Sequence, residues 1–157
     1  MTTTKTYTVD EALKRMENYC VYQERCHKEV EEKIIEMRLI PEAREKIILH
    51  LIENNFLNET RFALAFARGK FRIKKWGKQR IRRELKFRNI SAYNIKAALE
   101  QISFDEYEAT LNELAAQRLL QIHERNKYKK RKKLADYLLY RGWESDLVYE
   151  KVKALIP

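Results

Sequence analysis

The densest chemistry in the sequence is cationic. Between Arg68 and Arg88 stand Arg68, Lys70, Arg72, Lys74, Lys75, Lys78, Arg80, Arg82, Arg83, Lys86 and Arg88, with Glu84 the only acid and Phe71, Trp76 and Phe87 interleaved. Cations pair with phosphates, and a ring face can stack on a base, so this mixture suits a polyanion. On a helix that buries Ile81 and Leu85, residues Arg80, Arg83 and Lys86 point away from the core. A second cluster, Arg125, Lys127, Lys129, Lys130, Arg131, Lys132 and Lys133, precedes Leu134 and Leu138, with Lys129, Lys132 and Lys133 on the opposite helix face. The plain alternative is a solvated charged surface. Mixed charges serve solubility, however, and a one-sided sign points to binding. The candidate contact set is therefore Arg68, Arg72, Lys74, Lys75, Lys78, Arg80, Arg82, Arg83 and Lys86, with Lys129, Lys130, Lys132 and Lys133. Trp143 is expected in a core, whereas Trp76 could stack on a base or pack inward.

Other chemistries lack their residues. The sequence holds no Gly-rich phosphate loop, no His-Glu-x-x-His and no carboxylate pair in an apolar setting, so we expect neither catalysis nor a bound cofactor. Cys20 and Cys26 fall on different helical faces and are read as reduced thiols. Adding His27 gives Cys-x5-Cys-His, which is not a zinc spacing. His50 and His123 have no companions that suggest a site.

The charge is unevenly placed along the chain. Residues 1–67 carry 10 Lys and Arg against 12 Asp and Glu, and residues 68–157 carry 23 against 11, which together give the net +10 of this 157-residue chain. With 3 Gly and 2 Pro, the turn punctuation of a many-stranded sheet is missing, and helix is the expected element. No run of about 18 apolar residues exists, and Met1-Thr-Thr-Thr-Lys5 lacks the apolar core of a signal peptide. A soluble, cytoplasmic, membrane-free and monomeric protein is expected.

Thr8-Val-Asp-Glu11 has the form of a capping box and predicts a helix to about residue 25. A second helix is expected from about His27 to Met37, and a third from Pro41 through Ile47, Ile48, Leu51 and Ile52. Asn58 can cap a helix with Phe62, Phe66, Gly69 and Ile73 on one face and Leu64, Ala67 and Phe71 on the other. Such an element is expected to be sandwiched between neighbours. Ser103-Phe-Asp-Glu106 is a second capping box.

These stretches repeat. Ile81, Leu85, Arg88, Ile90, Ile95, Leu99 and Ile102 match Leu134, Leu138, Arg141, Trp143, Val148, Val152 and Leu155 at a constant shift of 53. An earlier copy is placed on Val30, Ile34, Arg38, Ile40, Ile48, Leu49 and Ile52. The expected fold is all-α, with three tandem three-helix, helix-turn-helix-like repeats in an elongated, curved array and no β-sheet. The boundaries drawn are an N-terminal helix over 1–25, repeats over 26–75 and 76–128, and a truncated repeat over 129–157. No copy is large enough to be stable alone, so neighbours supply the missing core.

The assembled residues resemble the RecX family. Leu57-Asn-Glu-Thr-Arg-Phe-Ala63 looks like its Leu-Asp-Asp-x-Arg-Phe-Ala element, and Trp76-Gly-Lys-Gln-Arg-Ile-Arg-Arg-Glu-Leu85 its Gly-Pro-x-Arg-Ile-x-x-Glu-Leu element. Arg88-Asn-Ile90 and Arg141-Gly-Trp143 are similar to its recurrent turns. Asn58-Glu59 replaces two aspartates, Lys78 a proline and Asn89 a glycine. The resemblance covers roughly residues 10–157. It implies a modulator that binds in the groove of the RecA recombinase filament, restrains ATP hydrolysis and strand exchange in recombination, DNA repair and the SOS response, and in some members binds single- or double-stranded DNA. The motif positions carried over are Arg61, Phe62, Trp76, Gly77, Ile81, Leu85 and Gly142, with Phe62 expected to pack and Arg61 to brace. Two other readings of the basic half are a stand-alone helix-turn-helix DNA-binding regulator and an RNA-binding adaptor.

Overall fold

The computed structural model describes residues 6–157, so the expectation for Met1-Thr-Thr-Thr-Lys5 lies outside the described residues. The described residues form nine helices and no strand: α1 (Val9–Tyr22), α2 (His27–Ile35), α3 (Pro41–Glu53), α4 (Glu59–Arg72), α5 (Lys78–Phe87), α6 (Ala92–Glu100), α7 (Phe104–Gln121), α8 (Lys127–Tyr140) and α9 (Ser145–Leu155). None is long and apolar enough to cross a membrane.

Short polar side chains start most of them. Thr8, Asn58, Ser91, Ser103 and Asn126 each accept a hydrogen bond from the backbone N–H three residues on, at 3.0–3.2 Å. Pro41 occupies the first turn of α3, where no N–H is needed. Helix α1 stops at Tyr22 rather than near residue 25, because Gln23 is already extended. Helix α2 stops at Ile35 rather than Met37.

The second helix of every triplet is followed by a left-handed residue: Arg38 (φ 56°), Asn89 (φ 58°) and Gly142 (φ 95°). After Asn89 and Gly142 the chain closes back on the helix, with Ile90 N–H on Leu85 O and Trp143 N–H on Leu138 O. The left-handed residue shared by the three triplets corrects the register of the first copy. Arg38 matches Asn89 and Gly142, not Arg88, so Ile40 falls on Ser91 and Glu144, which are N-caps. Ile40 is accordingly 65% exposed, and Met37 and Leu39 fill the position expected of it. Leu49 and Ile52 likewise face solvent, while Ala43, Ile47 and Leu51 are buried.

Each helix packs chiefly within its own triplet, α1 with α2 and α3, α4 with α5 and α6, and α7 with α8 and α9. This grouping begins one helix earlier than boundaries at 26, 76 and 129. Met16, Val30, Ile34, Ile47 and Leu51 form one core in the first triplet. A second core runs through the other two triplets and includes Phe62, Phe71, Ile81, Leu85, Tyr107, Leu134, Leu138 and Trp143. At its centre Tyr107 stacks on Trp143 with centroids 4.4 Å apart, and Phe71 tilts against both. Aromatic pairs of this kind add about 0.5–1.5 kcal/mol beyond the area they bury. Helix α4 is buried through Phe62, Ala63, Ala67 and Phe71, but Ile73, past its end, is 78% exposed and does not continue the Phe62 face.

Candidate nucleic-acid interface

The basic half of the chain is organised around a seam where two loops touch. One is the link from α4 to α5, residues 73–77. Lys75 adopts φ 58°, which turns the chain so that Trp76 N–H meets Lys70 O at 3.1 Å. The other is the turn Arg141-Gly142-Trp143 behind α8. Gly77 N–H donates to Arg141 O at 2.9 Å, and Gln79 N–H donates to Gly142 O at 3.0 Å. Arg141 Nη1 reaches Lys74 O at 2.6 Å, and Trp143 Nε1 reaches Lys75 O at 3.1 Å. Backbone thus lies directly on backbone. A Cβ on Gly77 would overlap the Gly142 carbonyl, and one on Gly142 would sit 2.5 Å from Arg80 N. Both positions need glycine for that contact.

Tyr107 closes the seam from below. Its hydroxyl accepts the Lys78 N–H at 2.8 Å and donates to a Glu144 carboxylate oxygen. Burial, reinforced by that acceptor, pushes the phenol well above its ordinary range, so it stays a donor at every physiological pH.

Above the seam, cations and rings alternate. Arg88 lies 4.8 Å from the Phe66 ring centre, and Lys70 lies 5.5 Å from Phe66 and 5.0 Å from Trp76. Arg80 sits 4.1 Å above Trp76 and 5.2 Å from Tyr140. The strip Arg88–Phe66–Lys70–Trp76–Arg80–Tyr140 therefore crosses from the second triplet to the third. Beside it, Arg118 and Arg141 face Tyr137 at 4.4 and 4.8 Å. Trp76 is half-buried at the edge of the second core and Tyr140 is 75% exposed. Among the described residues, no carboxylate lies within ion-pair distance of Lys70, Arg80 or Arg141.

The contact candidates divide by position. Lys74 is exposed and Lys75 half-buried, both in the seam loop, and Arg83 is exposed on the outward side of α5. Lys78, Arg82 and Lys86 follow one another along the flank of α5 that faces α6. Arg68 is tied to Gln101 at 3.1 Å and Arg72 to Glu106 at 3.3 Å. On α8, Lys132 pairs with Asp136 at 2.7 Å and Lys133 with Glu124 at 3.3 Å, whereas Lys129 is exposed and Lys130 half-buried. The lysines at the start of α8 stand roughly 18 Å from its seam end at 1.5 Å per residue, so the two clusters are not brought together. Arg141, Tyr140 and Tyr137 join the first cluster instead. Their signal was the Tyr137 to Arg141 spacing of one helical turn beside a glycine.

The remaining motif residues are buried or tied into the joint between triplets. Ile81 and Leu85 are fully buried, as is Phe62 to 4% exposure. Arg61 spans the first two triplets: Nε donates to Glu24 at 2.7 Å, and Nη2 donates to the carbonyls of Asn55 and Phe56. Cys20 and Cys26 are free and buried, and burial pushes both thiols up to about 11. His27 and His50 face Glu31 and Glu17.

Comparison with known proteins agrees in fold and sequence. A model described as "RecX, second three-helix domain" matches residues 58–99, and one described as "RecX, third three-helix domain" matches residues 105–152. The chain is 25% identical over 145 residues to the regulatory protein RecX of Enterococcus faecalis, covering 92% of this chain and 54% of that protein. It is 33% identical over 103 residues to RecX of Yersinia pseudotuberculosis, covering 66% of this chain and 55% of that protein. The matches thus span about half the length of these relatives. The crystal structure of RecX from Lactobacillus salivarius superposes with a TM-score of 0.79 at 22% identity, over 94% of this chain and 96% of that one.

Proposed function

This chain belongs to the RecX family, and on that premise we propose that it is a non-enzymatic negative modulator of the RecA recombinase. It binds in the groove of the RecA–DNA filament and restrains ATP hydrolysis and strand exchange during recombination, DNA repair and the SOS response. It works in the cytoplasm, as a monomer, and also touches DNA. The observation that carries the DNA part is the strip of rings and cations over the seam: Lys70 and Arg80 within it, and Arg141 beside it, have no carboxylate partner among the described residues, whereas Arg88 is paired with Glu84. Unpaired cations release counterions when they meet phosphates, and half-exposed rings accept stacked bases. Lys74, Lys75 and Arg83 extend the charge outward from that strip, and Arg68, Arg72, Lys129, Lys130, Lys132 and Lys133 complete the set, those already ion-paired contributing least, while Lys78, Arg82 and Lys86 lie apart from it on the flank facing α6.

The test is to add the full chain to RecA on single-stranded DNA with ATP. Both hydrolysis and strand exchange should fall, and the triple reversal Lys74→Glu, Lys75→Glu, Arg83→Glu should blunt the effect. Unchanged RecA activity at saturating protein would sink the proposal. In parallel, direct DNA binding through about 6–10 phosphates should weaken by about 10³–10⁵ between 50 and 200 mM salt. Tight sequence-specific duplex binding without any action on RecA would favour the stand-alone regulator.

A further inference from the structure

The register set by Arg38, Asn89 and Gly142 shows that one surface feature occurs three times. Between the second and third helices of each triplet lies an open groove, of about 190 Å³ beside α2 and α3, 400 Å³ beside α5 and α6, and 440 Å³ beside α8 and α9. Ile48, Leu99 and Val152 are equivalent residues of the three grooves. The rims differ in sign. Where the middle groove carries Arg82 and Lys96, the first carries Glu31 and Glu45. The third has Arg131, Lys132 and Lys153, with Asp136 already bound to Lys132.

In the middle groove Lys78, Arg82 and Lys86 form a ridge one residue per turn, and Lys96 stands opposite. Glu100 is the one acid at its rim and lies 3.9 Å from Lys96. Ala92, Ile95 and Leu99 supply an aliphatic floor. This stripe of α5 is distinct from Arg80, which sits at the seam, and from Arg83, which is exposed on the outward side. A nucleic acid suits the groove poorly, since no ring lines it for stacking and a phosphate chain offers nothing to an aliphatic floor. We propose that the α5–α6 groove docks an acidic peptide segment of a partner protein, whose carboxylates meet Lys78, Arg82, Lys86 and Lys96 while one or two apolar side chains rest on Ile95 and Leu99. The first groove, where Glu31 and Glu45 outnumber Arg44, meets the same segment with a net like charge. The inference does not depend on DNA contact at the seam.

A fluorescein-labelled 12-residue peptide, with Glu on one helical face and Leu at two positions four apart, serves as the probe for anisotropy with the full chain. The groove should bind it, with affinity falling as salt rises. Replacing both Leu by Ser should weaken binding about tenfold, and Arg82→Glu with Lys96→Glu should weaken it at least as much. Glu31→Arg with Glu45→Lys in the first groove should leave the original interaction intact. Should the double variant melt early, Lys96→Glu alone, at a 75% exposed side chain, carries the same expectation. Equal binding by the Ser peptide, indifference to reversal at Lys96, or displacement of the peptide by an equimolar 12-mer oligonucleotide would each overturn the proposal. The last would make nucleic acid the occupant. The filament assay is read separately, so either proposal can fail alone.

Discussion

Replacing Gly77 by Ala should unlock the joint between the second and third triplets. The backbone there has φ −78°, an ordinary value, so the cost is steric and not conformational. The added Cβ would lie 2.5 Å from the Gly142 carbonyl carbon and from Trp143 Cα, whereas ordinary contact begins at 3.4 Å. The loops must part by about 1 Å, and the atoms in the way are backbone, which cannot rotate aside. Lengthened by that amount, the 2.9 and 3.0 Å bonds across the seam leave hydrogen-bonding range, and the Trp143 to Lys75 bond goes with them. Three bonds at about 1 kcal/mol each give about 3 kcal/mol, or roughly 6–12 °C in Tm for a chain of this size. Gly69 is the control. A Cβ there meets nothing within 4 Å in the interior of α4, so Gly69→Ala should stabilise by about 0.5–1 kcal/mol. Thermal unfolding followed by circular dichroism reads both. If Gly77→Ala melts within about 2 °C of the parent, the seam is not a backbone-on-backbone joint.

Two further outcomes are expected. Arg61→Ala should lower stability by about 1–3 kcal/mol in urea, because Glu24 Oε2 already lacks a partner and Oε1 would lose the Arg61 guanidinium as well. Arg61→Lys should recover less than half of that, since a point charge cannot serve Glu24 and two carbonyls together. The cysteines supply a pH signature. Their folded thiols titrate at about 11 against 9.0 when free, so the associated stability is complete below pH 9 and is lost as pH rises toward 11. The urea midpoint should fall over that window, less so in the Cys20→Ala, Cys26→Ala variant, and iodoacetamide at pH 8 should label the unfolded chain far faster than the native one.

Much of this molecule was legible in its residues. Thr8, Asn58 and Ser103 mark helix starts because a short polar side chain before an apolar period has one local use. The repeat in the second half was legible because its apolar positions recur at a constant shift of 53, in step with Asn89 and Gly142, which tolerate the left-handed turn behind their helices. The first copy misled because Arg38 holds the same turn without a residue type that announces it. Met37-Arg-Leu-Ile40 then offers two registers of equal apolarity, and only the backbone chooses. Ile73 misled for a related reason: Lys75 turns the chain two residues later, where periodicity carries no information. At the interface, composition located the charge but not the seam. Arg141 and Tyr140 lie some 60 residues from Lys74 and Arg80, and their meeting depends on two glycines whose purpose is visible only when the loops face one another.

The unequal division of the core has a mechanical meaning. Helices α4 to α9 share one apolar interior, so the second and third triplets behave as a single stiff arm. The first triplet has its own interior and reaches that arm through Arg61 on Glu24, His27 N–H on Glu59 at 3.3 Å, Lys28 on the Phe87 carbonyl at 3.2 Å, and one buried side chain, Cys26, seated in the larger core. Polar ties at a half-wet joint exchange readily with water, while a packed interior yields only as a whole. Load applied along the chain would therefore be borne rigidly from residue 59 onward and released between residues 24 and 61, with Cys26 as the pivot.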